Sequence, residues 1–241
     1  MNNFSSSIMM FAFLTVSFGY GQWSSFDLDP IVGVNFSDEV KPLLKGTAMS
    51  LAQVPQFDRS LARRFKVGLA YSYGIAVDAT GFTSKRLKGL PSLQGAVIVT
   101  KNILLSGKIG GFRSGKDVVQ ILSYGFNLQL SDKTMNNWYL HTQFARLSGP
   151  QDVSMRALNG QILKEYKYSD IIGQIGIGVN LYSARIALND ENDILPHRLE
   201  GQINYLVVGV GTIWKQVYVG ILGQLNPDVT SFNISMSRGI Y

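Results

Sequence analysis

Residues 110–116 read GGFRSGK, which satisfies the glycine and lysine spacing of a phosphate-binding loop. Asp117 stands where such a loop needs Ser or Thr to ligate magnesium, and a carboxylate there repels phosphates. The residues from Val118 onward alternate as a strand, so no helix N-terminus aims its amides at an anion, and the segment reads as an Arg- and Lys-bearing hairpin. Gly173, Gly176 and Gly178 likewise lack the order and the strand-to-helix setting of a dinucleotide fingerprint. Of the two histidines, His141 alternates with Tyr139, Gln143 and Ala145, and Gln143 supplies no nucleophile two positions on. His197 follows Asp193 in NDENDILPH, which reads as a solvated acidic loop. Cysteine is absent, which removes thiol nucleophiles, disulfides and Cys-based metal sites. The expectation is a chain without catalytic residues, cofactor or metal, and not an enzyme.

What the remaining residues position is a surface. The chain has 241 residues, 46% hydrophobic and 11% aromatic, with 25 Gly and a formal charge of +6. That composition is too apolar for a disordered or acidic activating segment. Yet after the N-terminus no run of about 18 apolar residues exists to make a spanning helix. The one apolar block, Ile8 to Phe18, has the length of a signal-peptide core, and Gly19 and Gly21 suit cleavage before Gln22. Residues 1–21 are therefore expected to be a signal peptide, 22–64 a periplasmic segment and 65–241 the body of the protein.

Within 22–64, Val40, Leu43, Leu44, Ala48 and Leu51 recur at helical spacing behind Ser37, Asp38 and Glu39, which predicts a short helix over Ser37 to Ala52. The pattern then changes period. From Phe65 to Asp78, bulky residues (Phe65, Val67, Leu69, Tyr71, Tyr73, Ile75, Val77) alternate with small ones (Gly68, Ala70, Ser72, Gly74, Ala76). The same alternation recurs from Val118 to Leu130 and from Ile171 to Leu181. Weaker strands are expected at Leu93–Val99, Ile103–Phe112, Trp138–Leu147, Ala184–Asn189, Arg198–Gly209, Ile213–Leu222 and Thr230–Tyr241. Short turns are expected at Thr100–Asn102, Ser131–Asn136, Tyr182–Ser183 and Val210–Thr212, and long loops at Ala79–Ser92, Ser148–Lys167 and Asp190–His197.

The three best strands carry no charge on their bulky face, as lipid contact requires, because a charge at the bilayer midplane costs roughly 2 to 4 kcal/mol. Phe65, Trp138, Trp214 and Tyr241 fall where an aromatic girdle would, and Arg238 and Lys215 sit close enough to strand ends to reach interfacial water. The fold class expected is all-β: an antiparallel transmembrane β-barrel of about ten strands (eight to twelve), preceded by a short N-terminal helix. The small inner face leaves volume that the helix would plug, in the lumen or at its periplasmic mouth, or else serves strand curvature or holds water; Lys66, Lys108, His141, Asp170, Arg185 and Glu200 are expected to line the lumen.

The stretch KPLLKGTAMSLAQVPQF, with its basic lead-in to the first strand and the GLPSLQG strand after it, resembles a family of exported bacterial proteins of unknown function predicted to be outer-membrane β-barrels. Pro42, Leu43, Leu44 and Gly46, then Pro91 and Gln94, occupy the motif positions. The resemblance implies the bacterial outer membrane as location and names no catalytic residue. The C-terminal SFNISMSRGIY resembles the signal by which the barrel assembly machinery recognises its substrates. The expected function is a narrow channel for small solutes, weakly favouring anions. The alternative is a non-conducting envelope scaffold or secretion-machinery partner. Expected partners are outer-membrane lipids, small anionic solutes or envelope proteins, and not nucleic acid.

Overall fold

The computed structural model describes residues 23–28, 36–58, 63–77, 81–114, 116–131, 136–187 and 197–240. The proposed signal peptide, Asp193 and Tyr241 lie outside them. Ten strands form a closed antiparallel barrel: β1 (Phe65–Ala76), β2 (Gly89–Ile98), β3 (Ile103–Ser114), β4 (Asp117–Gln129), β5 (Asn136–Ser148), β6 (Val153–Tyr168), β7 (Ile171–Ile186), β8 (Arg198–Trp214), β9 (Val217–Leu225) and β10 (Val229–Gly239). Each strand pairs with its neighbour in sequence, and β1 closes on β10 in the register Leu69↔Met236 and Tyr73↔Phe232. Closure leaves no unpaired edge.

The strand number agrees with the sequence expectation, but the segmentation differs in three places. Ser148–Lys167, expected as a long loop, contains all but the last residue of β6, while Ile171–Leu181 and Ala184–Asn189 belong to one continuous strand, β7. Tyr182–Ser183 is therefore not a turn, and neither is Val210–Thr212, because β8 runs unbroken from Arg198 to Trp214. The actual turns are Ser169–Asp170 and Lys215–Gln216, where Ser169, Lys215 and Gln216 take φ of 53°, 47° and 70°. Two-residue hairpins need such left-handed backbone to match the twist of their strands, and the residues that usually advertise it, Asn-Gly or Asp-Gly, are absent here.

Burial alternates strictly along β1, with Lys66, Gly68, Ala70, Ser72, Gly74 and Ala76 inward. Outward faces are apolar: Leu122, Tyr124 and Phe126 on β4, Ile175, Ile177 and Leu181 on β7, Leu206, Val208 and Val210 on β8 are all exposed. On β7 this apolar face runs from Ile171 to Leu181. A tilted strand of about ten residues matches the roughly 25 Å apolar band of outer-membrane barrels. No helix among the described residues is long and apolar enough to cross a membrane, so any crossing falls to the strands.

The end at which β1 begins and β10 finishes is termed the terminal end, and its opposite the far end. Connections at the terminal end are short. The far end carries the two longest, 77–88 and 187–197, together with three short ones. Residues 77–88 include a small helix, α2 (Gly81–Arg86), in a region expected as open loop. At the terminal end Lys164 lies over the rings of Trp138 and Tyr166, 5.7 and 4.7 Å from their centroids, and Lys215 lies 4.8 Å from that of Trp214. These cations stand on aromatic faces at the rim, where both apolar ring and charge find suitable surroundings.

Candidate functional site: the occupied lumen

The N-terminal helix α1 (Phe36–Leu51) begins one residue earlier than its spacing predicts and has Asp38 and Glu39 in its first turn, where they complement the helix dipole. Pro42 lies inside it and removes one intrahelical hydrogen bond. The helix survives because of what it packs against. Val40, Leu43, Leu44, Ala48, Met49 and Leu51 are almost wholly buried, in one cluster with the inward residues Val119, Ile121, Leu147, Met155, Tyr182, Ile203 and Leu222. Those residues come from β4 to β9, so the helix lies within the barrel rather than against its outside.

Hydrogen bonds fix its depth. At the far end Thr83 Oγ1 donates to the Glu39 carbonyl (2.9 Å), and Lys45 pairs with Asp228 in the β9–β10 turn (2.5 Å). Deeper in, Asn180 Nδ2 donates to the Ala48 carbonyl (2.9 Å) and Asn159 Nδ2 to the Ala52 carbonyl (2.8 Å). The Ala52 carbonyl lies just past the last helical residue and takes its hydrogen bond from the wall, while the Ala48 carbonyl accepts from Ala52 N–H (3.1 Å) as well as from Asn180. Residues 53–58 then continue without helix. Gln94 Nε2 and Ser237 Oγ both donate to the Gln56 carbonyl (each 3.3 Å), and Asp58 faces Lys66 at 3.9 Å. Arg63 emerges at the terminal end, where it donates to the Gly239 carbonyl (2.6 Å).

Residues 23–28 lie at the opposite end. Ser25 N–H donates to the Arg86 carbonyl (3.0 Å), Leu28 N–H to Asp152 Oδ2 in the β5–β6 turn (2.7 Å), and Trp23 bridges to Gly89. The chain thus threads the barrel from far end to terminal end before β1 begins. Residues 36–58 occupy the interior, because their apolar face matches an apolar inner wall in the far half of the barrel.

The lumen residues expected from sequence divide into two groups. Lys66 and Lys108 are each 3% exposed and His141 1%, all on inward faces. Lys108 stands between Gln94 and Ser123 in the sheet register. His141 Nδ1 is 3.3 Å from Gln161 Nε2 and its ring meets Tyr139 edge-on at 6.0 Å. Around them runs a network of neutral polar groups: Tyr205 donates to Asn159 and to Gln161 (3.3 Å), Gln143 donates to Ser123, and Ser106 donates to Gln143 (3.4 Å). Such side chains satisfy one another inside the sheet. Asp170, Arg185 and Glu200 are exposed and do not line the lumen. Asp170 occupies the β6–β7 turn, and Arg185 shares the outer face of β7 with Ile177 and Leu181, because uninterrupted alternation sets its side. Glu200 lies on the outer face of β8, paired with Arg198 at 2.5 Å.

Asn159 lies in β6, which the sequence pattern presents as loop, whereas Asn180 falls on the inner face of β7 by alternation, with no sequence signal tying it to the helix. The GGFRSGK motif spans the β3–β4 hairpin, with Ser114 opposite Asp117. Among the described residues no group of His, Asp and Glu is placed to hold a metal ion.

No protein-family model matches the chain, and no curated protein matches it by sequence. The motif residues Pro42, Leu43, Leu44 and Gly46 lie in α1, and Pro91 and Gln94 in β2. Solved structures do resemble it. The translocator domain of autotransporter NalP from Neisseria meningitidis aligns over 85% of this chain and 96% of its own, at 8% identity and a TM-score of 0.46. The KdgM porin, solved in complex with disordered oligogalacturonate, aligns over 73% and 99%, at 8% identity and 0.36. Ail, the attachment invasion locus protein of Yersinia pestis, aligns over 72% and 93%, at 8% identity and 0.26. These likenesses concern the architecture alone; what the chain is, on its own geometry, is a closed ten-stranded antiparallel β-barrel with an N-terminal helix in its lumen.

Proposed function

We propose that this protein is an outer-membrane β-barrel that closes its own lumen and serves as a non-conducting envelope scaffold, holding its N-terminal arm and its longer loops at one membrane face. The observation that carries this reading is the burial of α1 inside the barrel. Five large apolar side chains of the helix are almost fully buried, Val40, Leu43, Leu44, Met49 and Leu51. At about 1.5 to 3 kcal/mol each, withdrawing them into water costs on the order of 10 kcal/mol. Thermal opening on that scale is negligible, which favours a scaffold over a freely conducting channel.

The terminal end faces the periplasm in this reading, since the sheet's first strand begins and its last strand ends there, and the far end with the 77–88 and 187–197 loops faces outward. Export through a signal peptide ending at residue 21, and delivery to the barrel assembly machinery by the last strand, belong to the same proposal. Planar-bilayer recording tests it: the full chain gives no unitary steps, and Leu43→Asp with Leu44→Asp gives discrete openings. Steady porin-like conductance from the unaltered chain would overturn the scaffold reading.

A further inference from the structure

The outer face of β5 to β8 changes character where the apolar band ends. Leu158, Leu181 and Leu206 give way, toward the far end, to Arg146, Arg156, Arg185 and Arg198, all exposed and all on the lipid-side face. The register sets them in two pairs of like charge: Arg146 is directly opposite Arg156, and Arg185 directly opposite Arg198. Like charges directly opposed across a sheet destabilise it unless an anion lies between them. On this face of these four strands Glu200 is the one carboxylate among the described residues, and it is engaged by Arg198 at 2.5 Å.

Between the pairs, Arg156 is opposite Ser183, and Ser183 accepts from Arg198 Nε at 3.0 Å. A groove of about 560 Å³ opens here, with Phe144, Leu158 and Leu181 as its apolar part and Arg156, Ser183 and Glu200 as its polar part. Two strand spacings separate the pairs, roughly 10 Å across the sheet. Ser154, not Arg156, is opposite Arg185, so the second pair is also displaced by two residues, roughly 7 Å along the strands.

We infer that this face binds a membrane lipid whose headgroup carries two phosphates, one on each arginine pair, with its acyl chains lying over Phe144, Leu158 and Leu181. The inference rests on the reading that the barrel exterior faces lipid. Guanidinium forks match phosphate oxygens in bidentate fashion, and the groove runs without a break into the apolar band, so its occupant is an amphiphile. A nucleic acid or an acidic peptide would have no use for the apolar half.

The test is native mass spectrometry of the detergent-purified full chain, titrated with a bisphosphorylated glycolipid, with phosphatidylglycerol, with phosphatidylcholine and with inorganic pyrophosphate. The expected result is one bisphosphorylated glycolipid per barrel, bound at least tenfold more tightly than phosphatidylglycerol, with no retention of phosphatidylcholine or pyrophosphate. Replacing all four arginines, R146Q, R156Q, R185Q and R198Q, is expected to weaken that binding at least tenfold while heat-modifiable migration stays unchanged. Should the quadruple variant fail to fold, R146Q with R156Q alone is expected to lose a substantial part of the binding. Lys164→Gln with Arg238→Gln at the other rim leaves it unchanged. Equal binding by the four-arginine variant, or equal retention of pyrophosphate, overturns the inference. Failure of the unaltered chain to insert into liposomes would instead overturn the membrane reading on which it rests.

Discussion

Gly74 on β1 lies against Gly46 on α1 so closely that a Cβ at position 74 would stand 2.6 Å from the Gly46 carbonyl oxygen and 3.1 Å from its Cα. Helix backbone and barrel wall touch with no side chain between them. The small inner face of β1, read in the sequence as unfilled volume, is filled here by the helix itself. Elsewhere the inner glycines have another use: a Cβ at Gly178 would collide with the ring of Tyr205, which packs across it.

Gly74→Leu therefore drives the helix away from the wall. Overpacking of this kind costs about 1 to 3 kcal/mol. The expected outcome is faster proteolysis within residues 36–58, while the barrel retains its strand content by circular dichroism.

Asn159→Leu removes the side-chain donor to the Ala52 carbonyl, and Asn180→Leu removes the side-chain donor that supplements Ala52 N–H on the Ala48 carbonyl. A buried polar group left unpaired costs about 1 to 3 kcal/mol. Each substitution is expected to lower the urea midpoint, Asn159→Leu by more, and the two together by an amount that departs from their sum, since the residues are directly opposite across β6 and β7.

Leu44→Ala removes a fully buried side chain from the contact between helix and barrel. Loss of about 2 to 5 kcal/mol is expected. The heat-modifiable transition should move to lower temperature, whereas Leu206→Ala on the exposed outer face of β8 should move it far less.

Trp138 and Trp214 are exposed at the terminal end of the belt, and Trp23 packs at the far end, 6.2 Å from the ring of Tyr71 and 5.9 Å from that of Phe112. In vesicles, lipids brominated near the headgroup are expected to quench Trp138 and Trp214 together. Trp23→Phe should preserve the quenched fraction, and Trp138→Phe with Trp214→Phe should abolish most of it.

A strand whose bulky apolar residues keep to one side throughout, such as β1, is readable from period-two alternation. β6 is not, because the interior it faces changes along its length. Val153, Met155 and Ala157 point inward to the helix, while farther down Leu158 and Ile162 are the apolar residues that point outward. The hydrophobic side switches in mid-strand, and no fixed period survives. Lys215–Gln216 was unreadable as a turn because neither residue is a usual host for positive φ. Lys66, Lys108 and His141 could be placed on the inner face from alternation alone. Arg185 could not, since a break at Tyr182–Ser183 would invert the side of everything after it in that strand, and Glu200 could not, since Arg198, Glu200, Gln202 and Asn204 put polar residues on the outer face of β8 ahead of its apolar Leu206. The helix itself was legible, and its place in the barrel was suggested only by the room that small residues leave.

The most direct measurement exploits the absence of cysteine from the chain. Cysteines introduced as Ala48→Cys and Asn180→Cys bracket the hydrogen bond between helix and wall. In isolated outer membranes a thiol cross-linker spanning about 10 Å is expected to join them within one chain, while Ala48→Cys paired with Ile177→Cys on the outer face gives no product. Absence of the 48–180 product under conditions that label both cysteines singly would place the helix outside the barrel and contradict the account.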